Sequence, residues 1–183
     1  MVAVGGNQPF GGMSLPDTIR AALAAIPRTS IEMVNESFLY STPCFPMGAG
    51  PDYVNAAVSL RLGGAMGAAT LLNLLHSIEA DFGRQRQARW GARSVDLDLL
   101  AFGDMVLPDG ATWDHWRGLS PTRQAVEAPN QLILPHPRIQ DRAFVLVPLA
   151  DIAPGWVHPV LKKSVSAMLA DLPAADRDAV RRL

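Results

Sequence analysis

Short apolar runs alternate with longer stretches of helical periodicity along this chain. The alternating runs predict strands over residues 1–4, 31–41, 52–62 and 94–102. Apolar residues at helical spacing predict helices over residues 14–26, 65–82, 143–152 and 163–172. The order is strand–helix, two strands, then helix–strand. It predicts an α+β fold, a ferredoxin-like α/β sandwich with a mostly antiparallel sheet covered by helices.

The predicted strand over residues 94–102 has two different faces. Positions 95, 97 and 99 are apolar, whereas Asp96 and Asp98 share the other face about 7 Å apart. That face turns apolar at positions 100 and 102, so the carboxylates are half-buried and need a cation or hydrogen bonds. Such a pair can hold Mg²⁺, which substrate phosphates then help to coordinate. The structural alternative is the wet face of an edge strand.

Four arginines precede this carboxylate pair, namely Arg84, Arg86, Arg89 and Arg93. A guanidinium holds phosphate oxygens through a planar fork of donors. Arginines beside a candidate metal site indicate a nucleoside triphosphate. A solvated surface loop is the alternative for the arginines taken alone.

The composition and net charge limit the classes of protein to which this chain can belong. The chain has 183 residues, 49% of them hydrophobic and 18% charged, which predicts one globular domain over residues 1–183. A formal net charge of −1 gives no basic field for nucleic acid. The single cysteine, Cys44, rules out an internal disulfide and fits a reducing, cytoplasmic compartment. The sequence shows neither a signal peptide nor an apolar run of membrane-spanning length, so no membrane association is expected.

The segment over residues 104–130 is rich in Pro, Gly, Trp and charge. It is too long for a plain connection, and we expect an irregular surface insertion or a mobile flap. Its tryptophans and basic residues could cover an active site or form an interface.

The motifs, in chain order, resemble the 6-hydroxymethyl-7,8-dihydropterin pyrophosphokinase family of folate biosynthesis. The matching segments are Tyr40-Ser41-Thr42-Pro43, Pro51-Asp52-Tyr53-Val54-Asn55-Ala56, Ile78-Glu79, Gly83-Arg84, Arg89-Trp90-Gly91, Arg93-Ser94-Val95-Asp96-Leu97-Asp98, Pro135-His136 and Arg142-Ala143-Phe144. Their combined order and spacing are far more specific than one glycine motif. The resemblance implies transfer of pyrophosphate from ATP to the pterin hydroxymethyl group, with release of AMP. We expect the protein to be a monomer.

The resemblance also assigns roles to individual residues. It implies that Asp96 and Asp98 hold two Mg²⁺ ions that bridge the triphosphate, and that Arg84 and Arg93 hold phosphates. The implied nucleotide site contains Glu79, Arg86, Arg89, Trp90, His136 and Arg142. Trp90 belongs to a loop that closes over the site in this family. The implied pterin site consists of Thr42, Pro43, the stacking pair Tyr53 and Phe144, and the amide of Asn55.

One departure from the family pattern concerns the end of the first strand. Gly5-Gly6-Asn7 stands where the family usually has Gly-Ser-Asn, so a hydroxyl is lost while the turn is kept.

Two other functions are alternatives to pyrophosphokinase activity. They are a catalytically silent pterin or nucleotide binder, which would not need paired metal ligands, and a nucleic-acid-binding α+β module, which would need a basic balance.

Overall fold

One antiparallel sheet with helices on both faces forms the core of the described structure. The computed structural model describes residues 1–27, 29–44, 50–84 and 93–183. The strands are β1 (Val2–Gly6), β2 (Ile31–Glu36), β3 (Tyr40–Thr42), β4 (Tyr53–Leu62), β5 (Asp96–Leu99) and β6 (Arg181–Arg182). The helices are α1 (Leu15–Ala25), α2 (Ala68–Asp81), α3 (Gly110–Arg117), α4 (Pro121–Val126), α5 (Ala143–Ile152), α6 (Val165–Asp171) and α7 (Ala174–Asp178), with a 3₁₀ turn at Ile139–Asp141.

The sheet confirms the predicted sandwich. Its order is β5-β1-β4-β3-β6, with β2 also paired to β4, and all these pairs are antiparallel. Gly5 lies opposite both Asn55 and Asp96, and Ala3 lies opposite both Ala57 and Asp98. Directly opposed residues in antiparallel strands share a face. Side chains of β1, β4 and β5 are therefore brought into register on one face.

Two apolar clusters lie on opposite faces of this sheet. One joins Val4 and Leu97 to α1 and α2 through residues such as Leu23 and Leu75. The other lies under α5 and α6 and includes Leu146. The even-numbered residues of β1 thus face the first cluster, and the odd-numbered residues face the second side. In the part of the chain that the structure describes, no helix is both long and apolar enough to cross a membrane.

The predicted continuous strand over residues 31–41 is wrong, because the chain divides there into β2 and β3. Between them Ser37 binds Ala57 twice: its N–H donates to the Ala57 carbonyl at 2.9 Å, and its hydroxyl accepts from the Ala57 N–H at 2.9 Å. The two short strands pair with different halves of β4. The hydrogen bonds of Ser37 to the central strand β4 therefore separate β2 from β3.

The prediction of an irregular segment over residues 104–130 is also wrong, because it contains α3 and α4. The Asp109 carboxylate accepts the Thr112 N–H at 2.8 Å, and Ser120, followed by Pro121, accepts the Arg123 N–H at 3.4 Å. These are ordinary helix N-caps. The loop-like composition of the segment concealed them.

Candidate active site

The carboxylates of β5 stand at the centre of the candidate site. Asp96 and Asp98 point to the open face of the sheet, as predicted, while Leu97 and Leu99 are buried on the other face. Opposite them on β1 lie Gly5 and Ala3. These small residues leave space above the sheet beside both carboxylates.

The two carboxyl groups have different electrostatic surroundings. Burial alone would raise the pKa of Asp96, but the guanidinium groups of Arg84 and Arg93 outweigh it and hold the pKa below its ordinary value. Burial, followed by the charge of Asp96, raises the pKa of Asp98 to about 6. The Asp98 side chain is still 39% exposed, but burial by the atoms around its carboxyl group dominates its pKa. A nearby cation would stabilise its ionised form.

Arg84 connects Asp96 to helix α2. Its guanidinium donates to both Asp96 and Glu79. Glu79 is only 2% exposed, and it also accepts the Leu97 N–H at 2.8 Å. The structure therefore places Glu79 beneath the site, where it orients Arg84 and fixes the backbone of β5.

Arg93, just before β5, is held by a residue to which the sequence analysis gave no role in the site. Its side chain donates to Asp96 at 2.5 Å. Its backbone N–H donates to Asn7 Oδ1 at 2.9 Å, and the Asn7 N–H donates back to the Arg93 carbonyl at 2.9 Å. Asn7 is 6% exposed. The available signal was a polar residue directly after the buried first strand.

The glycine pair before Asn7 allows close packing on both sides. A Cβ at Gly5 would lie 2.7 Å from Asn55 Oδ1, and a Cβ at Gly6 would lie 2.2 Å from the Ser94 carbonyl oxygen. Gly5 therefore makes room for the amide in the pocket. Gly6 lets the chain before β5 approach β1 more closely than a side chain at this position would permit.

Asn55 and Thr42 form a polar pair on neighbouring strands. Asn55 Nδ2 donates to Thr42 Oγ1 at 2.7 Å, and both residues are buried. This bond fixes the amide, so that its oxygen remains an acceptor at the pocket.

A single pocket of about 270 Å³ joins the carboxylates to this polar pair. Its lining residues are Ala3, Val4, Gly5, Thr42, Pro43, Tyr53, Asn55, Arg93, Asp96, Asp98, Arg142, Phe144 and Val145. The structure thus brings together all five residues of the implied pterin site and both candidate metal ligands. Of the implied phosphate and nucleotide residues, Arg93 and Arg142 line the pocket, while Arg84, Glu79 and His136 lie outside that lining.

The N-terminus of α5 supplies the wall opposite the sheet. Arg142 Nη1 lies 3.9 Å from Asp98 Oδ2, and the Arg142 guanidinium lies 5.6 Å from the centre of the Phe144 ring. Phe144 is 40% exposed, which is unusual for a large aromatic side chain beside a core. An exposed ring at a pocket wall offers a stacking surface for a flat ligand.

His136 lies behind this wall, at the end of β5. Its N–H donates to the Leu100 carbonyl at 2.7 Å, and its Nδ1 accepts the Arg138 N–H at 3.1 Å. Burial, with the charges of Arg142 and Arg138, lowers the pKa of His136 to about 3. His136 is therefore neutral at physiological pH. The remaining predicted nucleotide residues, Arg86, Arg89 and Trp90, lie outside the described residues.

The donor set fits Mg²⁺ only when a substrate supplies further ligands. Among the described residues, no group of three or more His, Cys, Asp or Glu side chains is arranged to hold a metal ion. Asp96 and Asp98 together provide two carboxylates beside open space. One or two carboxylates completed by phosphates and water is the arrangement that Mg²⁺ prefers.

The chain is similar to a known protein family and to several of its members. Residues 1–154 match the family model of 7,8-dihydro-6-hydroxymethylpterin-pyrophosphokinase. A 2-amino-4-hydroxy-6-hydroxymethyldihydropteridine pyrophosphokinase of Synechocystis is 36% identical over 170 residues, covering 92% of this chain and 73% of the relative. The enzyme of that name from Bacillus subtilis is 32% identical over 150 residues, covering 81% of this chain and 74% of the relative.

A solved structure gives the same fold. The wild-type HPPK-DHPS crystal structure from Plasmodium falciparum with STZ-DHP superposes with a TM-score of 0.64 at 12% identity. The match covers 99% of this chain but 46% of that longer chain, so the likeness concerns the fold alone. The family match and the two bacterial relatives carry the assignment further: the chain belongs to the 7,8-dihydro-6-hydroxymethylpterin-pyrophosphokinase family, the ATP-dependent diphosphotransferases of folate synthesis.

Proposed function

We propose that the chain transfers pyrophosphate from ATP to 6-hydroxymethyl-7,8-dihydropterin in the pocket between β1, β4, β5 and α5. The observation that carries this proposal is that one pocket has the Tyr53 ring and the Asn55 amide of β4 at one end and the carboxylates of β5 at the other, with β1 between the two strands. A flat heterocycle suits the first end, and a metal-bound polyphosphate suits the second.

The pterin end is formed by Tyr53, Asn55 and Phe144. Tyr53 and Asn55 lie two residues apart on β4 and share a face, so the ring and the amide point to the same space. Phe144 approaches from α5 and contributes the second ring. Stacking would fix the plane of the pterin, and the amide would fix its rotation by hydrogen bonding its edge.

The phosphate end is formed by Asp96, Asp98, Arg84, Arg93 and Arg142. We propose that the two carboxylates hold two Mg²⁺ ions, which supply charge neutralisation and alignment of the triphosphate when bound. Arg93 and Arg142 already line the pocket, and Arg84 lies against Asp96. Their guanidinium groups would bind phosphate oxygens through charge-assisted hydrogen bonds.

The reaction joins the two ends of the pocket. The hydroxymethyl oxygen of the pterin attacks the β-phosphorus of ATP and gives up its proton to solvent. The bond from that phosphorus to the α–β bridging oxygen breaks, and AMP leaves with that oxygen. The residues of the chain act by positioning and by electrostatics, as is general in phosphoryl transfer.

The test is incubation with ATP, Mg²⁺ and the pterin, with AMP and pterin diphosphate measured by ³¹P NMR and chromatography. Equal amounts of both products are expected, with no AMP when the pterin is left out. ADP with a pterin monophosphate would show the wrong point of attack, and no product at all would contradict the proposed reaction.

The same proposal covers the organisation of the chain. We propose that residues 1–183 form one pyrophosphokinase domain, in which residues 104–130 are a surface insertion. We further propose that it acts as a cytoplasmic monomer on these two small substrates, without nucleic acid or membrane. Elution as a single species of about 20 kDa would agree with the sequence mass of 19.6 kDa.

A further inference from the structure

Helix α3 is tied to the segment over residues 134–142, which carries His136 and Arg142. Trp113 is fully buried, and its indole N–H donates to the Pro135 carbonyl at 2.6 Å. Pro135 directly precedes His136. The indole therefore fixes the peptide group next to His136, which belongs to the nucleotide site that the family resemblance implies.

In a second set of hydrogen bonds the donor lies on the 134–142 segment and the acceptors lie on α3. Arg138 donates to the Trp116 and Arg117 carbonyls, each at 2.9 Å. These carbonyls belong to the last turn of α3, where backbone acceptors have no partner within the helix. A guanidinium at this end also interacts favourably with the helix dipole. The Arg138 side chain is only 13% exposed, so solvent screens the contact weakly.

The same segment is also held by backbone hydrogen bonds outside α3. Leu107 and Leu134 form an isolated bridge with two backbone hydrogen bonds, of 2.8 Å and 3.1 Å. His136 binds the Leu100 carbonyl at the end of β5, and its Nδ1 accepts the Arg138 N–H. The position of the His136 ring therefore depends on where α3 holds Arg138.

We propose that α3 is a clamp for the nucleotide end of the site, with Trp113 and Arg138 as positioning residues for His136. This inference rests on the function proposed above, because it assigns the clamp to ATP and not to the pterin. The insertion then contributes to substrate binding without contacting the substrate.

The clamp variants are Trp113→Phe and Arg138→Lys. Phe keeps the buried ring but leaves the Pro135 carbonyl without its indole donor, and Lys cannot reproduce a fork that reaches two carbonyls. Trp116→Phe on the same helix and Arg123→Lys in α4 are matched controls. The Trp116 ring packs on His115, and Arg123 binds Glu127 of its own segment. Ile26→Val, which removes a buried methyl group in the other core, controls for lost stability.

The first measurement needs no ligand. The ¹⁵N and ¹³C signals of the His136 ring are recorded in the parent and in each variant. Both clamp variants should shift these signals, and the three controls should leave them in place. Unchanged His136 signals in the clamp variants would overturn the proposal, whatever the enzyme does with ATP.

The second measurement is calorimetric binding of a non-hydrolysable ATP analogue with Mg²⁺, and of the pterin separately. The clamp variants should weaken nucleotide binding by roughly fivefold or more, the lower end of measured couplings between sites, with pterin binding within twofold of the parent. Unchanged nucleotide affinity, or equal losses for both ligands matching those of Ile26→Val, would overturn the clamp. A parent protein that binds no nucleotide would contradict the proposed function, while the His136 signals would still decide whether the clamp exists.

Discussion

The two faces of the sheet use the same strands in opposite ways. The face under α1 and α2 is closed, and its residues, such as Val4, Ala56 and Leu97, are 1–2% exposed. The other face is closed only where α5 and α6 cover it, and beyond the start of α5 it opens into the pocket. Alternation along each strand assigns one set of residues to packing and the other to chemistry.

The difference between the two faces shows how a small sheet forms an open pocket on one side. On the open face, β1 contributes only Ala3 and Gly5, while β4 and β5 contribute Asn55, Asp96 and Asp98. Small residues in the central strand leave space that larger side chains would fill. At the equivalent positions of the closed face, Val4, Ala56 and Leu97 pack into the core under α1 and α2, where side chains are densely packed.

The largest expected effect is on the chemistry of the open face. Asp96→Ala and Asp98→Ala should each lower kcat/KM on the order of a thousandfold, because each removes a proposed metal ligand. Removing Mg²⁺ with EDTA should abolish AMP release, and excess Mg²⁺ should restore it. Steady-state AMP release measures both effects.

The matched control for these variants is Asp104→Ala, at an exposed aspartate outside the pocket. Asp98→Asn should lower activity without lowering the free energy of unfolding, because the fold already disfavours the Asp98 charge. A double alanine variant that released AMP at the parent rate would refute the metal assignment.

On the closed face, a substitution should lower the free energy of unfolding and leave ligand binding unchanged. Leu75→Ala removes a fully buried side chain of α2 and should lower the free energy of unfolding by about 3 kcal/mol, while the folded fraction binds both ligands normally. Urea unfolding and calorimetry measure the two quantities. Leu183→Ala, at a side chain that is 61% exposed, is the control with little expected change. A selective loss of ligand affinity in Leu75→Ala would contradict the assignment of stability to the closed face and of ligand binding to the open face.

A smaller, pH-dependent effect is expected beside the α5–α6 cluster. Burial, together with the charge of Arg117, lowers the pKa of His158 from 6.5 to about 4, and its ring packs between Trp113 and Trp156. The unfolded chain takes up a proton near pH 6.5, whereas the folded protein does not. Stability is therefore fully present above pH 6.5 and is lost as the pH falls toward 4, by about 2 kcal/mol between pH 7 and pH 5.

The measurement is the free energy of unfolding against pH for the parent and for His158→Gln. The variant should lack this loss, and His115→Gln, at an exposed histidine, should retain it. Asp98 acts in the opposite sense: its raised pKa makes protonation favour the fold below about pH 6, so only the difference between parent and variant isolates His158. Parallel curves would show that His158 is not held neutral.

The smallest effect concerns the aromatic end of the open face. Tyr53→Ala and Phe144→Ala should each weaken pterin binding about tenfold, since a stacking contact contributes about 1 kcal/mol beyond area burial. Binding of MgATP should change much less. Phe38→Ala, at a ring that packs under Arg182 at the sheet edge, is the control. Equal weakening of both ligands would indicate a packing defect instead of lost stacking.

Local pattern predicted a large part of the fold. Ser14 caps α1 as expected, and α5 covers the predicted range of residues 143–152. The opposed faces of β5 also follow from its sequence, because alternation needs no partner to be recognised. The predictions failed at the division into β2 and β3 and in α3 and α4, and no element was predicted where α7 and β6 form. All of these elements are short and weakly periodic.

The roles predicted for the site depended on several distant motifs together. The sequence by itself determined which residues share a face within one element, including Asp96 with Asp98 and Tyr53 with Asn55. It also determined the family, through the order and spacing of its motifs.

Only the tertiary structure decided which faces meet. It placed Phe144 across the pocket from β4, buried Glu79 behind Arg84, and joined Trp113 to Pro135. Each of these contacts joins residues that are separated in the sequence and that no helical or strand periodicity relates to each other. They form because antiparallel pairing and burial of the two apolar faces fix the elements in space, and the polar contacts then form wherever that packing leaves complementary groups together.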